Sequence, residues 1–167
     1  MEEGFTIAAE AVGAVIKRFS SVTETTLYLQ ELAAGGKICS SPLPDGLSRQ
    51  LTGLVISDPA EAAGATLCLS AAEAGIAATG SLLIYLTDPA SRGATGLVPK
   101  HAVFLRPSSI VPTLRDLSST LKEQLSGSAS NYLSITTGPS RTADIERVLT
   151  IGVHGPKELH ILILEGE

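Results

Sequence analysis

Between positions 136 and 164 the sequence TTGPSRTADIERVLTIGVHGPKELHILIL gathers much of the chain's potential chemistry. Arg141 stands between the hydroxyls of Ser140 and Thr142, just after Gly138-Pro139. Gly138 permits a turn that other residues resist, and free N–H groups there, with two hydroxyls and a guanidinium, could hold an anion. Asp144 and Glu146 follow at once. They offer a different outcome, in which they pair with Arg141 or complement the positive end of a short helix and no ligand is needed. His154, held in a turn by Gly152, Gly155 and Pro156, is a candidate for acid–base work or a ligand hydrogen bond. Its ring could equally bond backbone and fix the turn. The catalytic candidates are therefore His154, Asp144 and Glu146; the ligand-binding candidates are Gly138, Ser140, Arg141 and Thr142. Thr79 and Gly80 join them from a helix-to-strand turn, where the Thr79 and Ser81 hydroxyls could face the same cleft or cap local backbone.

Other chemistries lack their residues. His154 and His160 bracket GPKEL at a spacing that matches neither a zinc-helix motif nor a finger, so no metal site is expected. Cys39 and Cys68 stand singly in apolar segments, and an iron–sulfur cluster ordinarily needs four thiolates. No phosphate-cradling loop, dinucleotide fingerprint or serine-nucleophile elbow is present. Residues 87–101 concentrate Arg92, Lys100 and His101 in a glycine-bearing loop, readable as a flap over an anion or as a solvated connection.

The elements that must position these groups follow from periodicity. Phe5, Ala9, Val12, Ile16 and Phe19 fall at helical spacing, predicting a helix over 5–19. Ser21 and Glu24 fit a capping box for a second helix that stops at Gly35-Gly36. Strands are expected at 37–40, 54–57, 65–69, 82–86, 102–105, 132–136, 148–151 and 160–164. A weak helix is expected at 47–51, an Ala-rich helical turn at 71–77 and a helix at 113–125. Strands alternating with helices predict one α/β domain over 1–167, three-layered α/β/α with a mainly parallel sheet. In such a sheet equivalent strand ends lie together, so the 79–80 turn, 138–142 and His154 should converge on one cleft.

Composition sets the frame. With 44% hydrophobic and 17% charged residues over 167 positions, the chain can bury a proper core. Aromatics are only 4% and Trp is absent, so that core must be Ala, Val, Ile and Leu. A net charge of -5 excludes a general nucleic-acid binder. No apolar run approaches the ~20 residues of a membrane helix. Glu2 and Glu3 stand where a secretory leader would carry basic residues, and a cytoplasmic protein is expected.

From 65 to 164 the chain resembles the LUD-domain family, of the lactate utilisation protein C type. GIAATGSLLI, LVPKHAVFL, GPSRTADIE and GVHGPKELH carry the resemblance, in that order. It implies a fold like that of the sugar-phosphate isomerases and CoA transferases (NagB/RpiA/CoA transferase-like). It also implies a part in oxidising L-lactate to pyruvate, beside an iron–sulfur subunit and a second redox subunit. The expectation is an accessory or regulatory subunit with no cofactor of its own, the clusters being on a partner. The alternatives are a stand-alone enzyme on a small anionic substrate, or a small-anion or nucleotide binding module. Two departures stand out: Ala78 precedes Thr79-Gly80 where the family usually carries an acid, and the N-terminal part is shorter.

Overall fold

Parallel strands at the centre of the molecule grow from short, well-punctuated segments. The structure, a computed structural model, describes residues 1–44, 46–126, 132–145, 148–151 and 155–165. Helix α1 (Glu2–Ala11) carries Glu2 and Glu3 in its first turn, where the helix dipole favours them, and buries Phe5 and Ala9. Gly13, at φ +91°, then turns the chain into strand β1 (Val15–Phe19). The helix expected over 5–19 is therefore two elements. Its apolar spacing was shared by residues with different destinations: Ile16 packs with Phe5 and Ala9, whereas Phe19 packs on the opposite face of the sheet.

Helix α2 (Val22–Ala33) starts as read, with Ser21 Oγ accepting from the Glu24 N–H. The Glu24 carboxylate reaches back to the Ser20 N–H at 3.1 Å. The helix ends through Ala34 at φ 48° and Gly35 at φ 75°. Strand β2 (Lys37–Ser40), helix α3 (Leu47–Gln50) and strands β3 (Ile56–Ser57), β4 (Ala65–Ala71), β5 (Ala74–Ile76) and β6 (Ser81–Tyr85) follow. Next come α4 (Pro89–Leu97), β7 (Lys100–Leu105), β8 (Ile110–Val111), α5 (Ser118–Leu125) and β9 (Leu133–Thr136). Strands β10 (Arg141–Ile145), β11 (Val148–Ile151) and β12 (Glu158–Leu164) come last.

Six strands form the main sheet in the order β1-β12-β7-β4-β2-β3, every neighbour parallel. Side chains alternate across it. Val103, Leu105, Leu159 and Ile161 meet α1 and β6 on one face, while Ala102, Phe104, Leu162 and Leu164 meet α2 and α3 on the other. Helix α4 lays Ala94 and Val98 over Cys39 and Cys68, on the side of β4 away from Leu67 and Leu69. Phe5, with no exposed surface, contributes on the order of 2–3 kcal/mol by burial.

Three expected elements come out differently. Residues 71–77 hold the end of β4 and strand β5 instead of a helical turn, because Ala74–Ile76 pairs with β6 inside a second sheet of order β8-β5-β6-β9, and that burial overrides alanine's helix preference. The expected loop after β6 is helix α4. Asp88 caps it through the Ser91 N–H and Pro89 presets its first turn, outweighing the two glycines within it. Strand β11 stays out of the main sheet and pairs antiparallel with β10 instead of closing it. Asp144 therefore lies on a strand rather than a short helix, and Glu146 is outside the described residues.

Candidate functional site

The motif residues gather around the C-terminal end of α1, at the amino ends of β1 and β12. Gly80, at φ 64°, brings its turn so near the helix that an added Cβ would lie 2.2 Å from the Ala9 nitrogen. Gly138, at φ 68°, approaches the Val12 carbonyl in the same way, with 2.4 Å left for a Cβ. Arg141 Nη2 donates to that carbonyl at 2.8 Å, supplying positive charge where the helix dipole is negative. A chain of hydroxyls joins the two segments: Thr79 Oγ1 to Ser81 Oγ at 2.7 Å, and Ser81 Oγ to Thr137 Oγ1 at 2.7 Å. Thr79, Gly80, Gly138 and Arg141 thus share one neighbourhood. The Ser140 N–H donates to the Pro156 carbonyl at 2.9 Å, and Thr142 pairs with Thr150 along the β10–β11 ladder. Asp144 lies further along β10; His154 is outside the described residues. Arg141 remains exposed at the surface.

His160 sits on β12, 5% exposed, between two partners. The Tyr28 hydroxyl meets its Nδ1 at 2.7 Å and a Glu158 carboxylate oxygen meets its Nε2 at 2.9 Å. Burial first, then the Glu158 and Glu31 charges, hold the Tyr28 hydroxyl above its ordinary pKa, so it stays protonated near neutrality. The relay pins α2 to the sheet. Tyr28→Phe is expected to lower unfolding free energy by about 1 kcal/mol in urea titration, the value of one such bond, with the circular dichroism spectrum unchanged. Among the described residues no three His, Cys, Asp or Glu side chains are grouped to hold a metal.

The basic residues of 87–101 do not form a flap. Arg92 lies over the Tyr132 ring at 5.1 Å, and Lys100 Nζ donates to the Leu32 carbonyl at 2.9 Å. His101, 3% exposed, meets Ser70 Oγ through Nε2 at 2.7 Å, and burial pushes its pKa down to about 4. Cys39 and Cys68 are buried register neighbours on β2 and β4; the hydrogen bond between their thiols lowers the pKa of Cys39 and, with burial, raises that of Cys68.

The opposite end of the sheet holds a constellation that the motifs did not signal. A cleft of about 610 Å³ opens beyond the carboxyl ends of β2 and β3, lined by Ser40, Ser41, Ser48, Ser57, Asp58 and Asp88 among others. It shares Pro42, Leu43 and Asp88 with a cavity of about 340 Å³ that reaches Glu73, Tyr85 and Arg106. Both aspartates are partly committed. Asp58 accepts from the Ala60 N–H at 2.8 Å, and Asp88, which accepts from the Ser91 N–H at 2.9 Å, is held below the usual carboxylate pKa by its contact with Ser91. Carboxyl ends of parallel strands are where α/β sheets hold ligands. That rule, applied to Ser40-Ser41 after β2 and Arg106 after β7, was the signal available in the sequence.

Comparison with known proteins supplies the context. The LUD domain matches residues 56–164. The chain is 37% identical over 98 residues to the uncharacterized protein YkgG of Escherichia coli, covering 56% of this chain and 42% of that protein. It is 34% identical over 105 residues to lactate utilization protein C of Bacillus velezensis, covering 59% and 42%. Its alignments thus span about two-fifths of the length of these curated relatives. A crystal structure of a DUF162 family protein from Deinococcus radiodurans superposes with TM-score 0.68 at 17% identity, covering 97% of this chain and 94% of that one, a likeness of fold. Because the LUD domain match takes in β3 to β12, and with them most of the main sheet, the chain belongs to the LUD-domain family.

Proposed function

We propose that this chain serves lactate utilisation as an accessory or regulatory subunit, working beside an iron–sulfur subunit and a second redox subunit that oxidise L-lactate to pyruvate. The observation that carries this reading is the similarity of its motif-bearing part to proteins named lactate utilization protein C. Two cysteines fall short of the four thiolates an ordinary cluster needs, which fits an electron carrier located elsewhere in the assembly. Arg141 supports a docking role for the amino-end face. It is exposed, its Nη2 donates to the Val12 carbonyl, and a guanidinium fork can take a partner's carboxylate or a small anion.

An anaerobic lactate assay with an artificial electron acceptor tests the proposal. The purified chain alone should show no turnover, and activity should appear when the cluster-bearing partners are added. Arg141→Ala should then lower the assembled rate by about tenfold, the loss expected for one charge-assisted contact, with little change in melting temperature. Turnover by the isolated chain would overturn the accessory reading and favour an enzyme acting on a small anion.

A further inference from the structure

Arg106 follows β7 directly and projects into the carboxyl-end cavity. It is exposed, and among the described residues it forms no ion pair, although Glu73 and Asp88 line the same space. Asp88 is occupied in capping α4. A guanidinium at the mouth of a cavity, without a carboxylate partner among the described residues, is poised for an anion.

Beside Arg106 the cavity narrows to an apolar nook of about 20 Å³ walled by Ala71, Ala72, Phe104, Leu162 and Leu164. Among the described residues of its lining Arg106 is the one polar side chain. A void of this size accepts about one water-sized body, and water there would lack the two or more polar partners it requires. A methyl group suits it better.

We propose that this cleft binds a short-chain carboxylate, its two oxygens on the Arg106 guanidinium and its terminal methyl in the apolar nook. The planar fork of Arg106 matches a carboxylate at both oxygens. Phosphate would satisfy the guanidinium but leave the nook empty, and a long aliphatic chain would overfill it. The inference concerns this chain's own cleft and holds whether or not redox partners assemble on the opposite face.

Titration of the full chain by calorimetry and NMR with sodium acetate, propanoate, hexanoate, propionamide and inorganic phosphate provides the test. Propanoate should bind with a Kd on the order of 1 mM, ahead of acetate, hexanoate and phosphate, and neutral propionamide should bind at least about tenfold more weakly. Arg106→Ala should weaken propanoate by about tenfold or more, and Arg106→Lys, which keeps the charge but loses the fork, should fall between. Circular dichroism checks that both variants fold, as an exposed side chain allows. Absence of saturable propanoate binding, unchanged affinity in a folded Arg106→Ala, or equal binding of phosphate and all three carboxylates would each overturn the proposal.

Discussion

Gly80→Ala should destabilise the fold by about 3 kcal/mol or more in urea-induced unfolding. The added Cβ would meet Ala9 N at 2.2 Å, Ala9 Cα at 2.4 Å and Ala8 C at 2.5 Å, all backbone atoms of α1 that cannot rotate away. The φ of 64° adds strain that a glycine does not feel. Relief requires α1 to lift from the β5–β6 turn, and with it Phe5 and Ala9 leave the core they share with Leu82 and Ile84. Gly93→Ala makes the matched comparison. It lies inside α4 with nothing within 4 Å of the new Cβ, so helix propensity alone should stabilise the protein by roughly 0.5–1 kcal/mol. If Gly80→Ala unfolds within about 1 kcal/mol of the unaltered protein, the close approach of α1 to this turn does not exist in solution.

The second large effect comes from acid. His101 titrates at about 4 in the fold against 6.5 in the unfolded chain, because burial disfavours its charged form. The unfolded state therefore takes up a proton first, and stability falls as pH drops. His101's contribution is complete above pH 6.5 and is lost progressively down to about 4, where it has removed about 3 kcal/mol. His101→Gln can still bond the Ser70 hydroxyl but does not titrate. Unfolding free energies measured from pH 7 to 4 should decline less steeply in this variant, by about 1.4 kcal/mol per pH unit within the window. Parallel declines in the two proteins would assign the acid sensitivity to other groups.

The part of the fold that was legible in the sequence is the part whose local signals agree with its surroundings. Ser21, Glu24 and Gly35 bound α2, and the strand at 37–40 matches β2, because capping geometry is decided within a few residues. Residues 5–19 misled because spacing of 3.6 cannot distinguish one helix from a helix and a strand that bury residues on two faces; Gly13, which separates them, is one residue in a convincing pattern. Ala74–Ile76 misled because alanine favours helix locally, while the pairing that buries it as strand includes β8 at 110–111, which leaves no local mark. At the site, the glycine-rich motifs announced sharp turns and backbone proximity, which the structure places against α1. Arg106 had no motif around it. Its position depends on strand order, which brings the ends of β2, β4 and β7 side by side only once the sheet is assembled.

Strand β12 lies between β1 and β7, although every other strand precedes it in the chain. During synthesis, β1 has no main-sheet neighbour until 158–164 has left the ribosome, since β12 is its partner there. Nor can β7 complete its far edge before then. Until β12 is in place, β1 and the far edge of β7 stay open, a condition that invites chaperone engagement and edge-to-edge aggregation. The contact that closes the sheet joins residues 15–19 to 160–164, a wide separation in sequence that makes its formation slow.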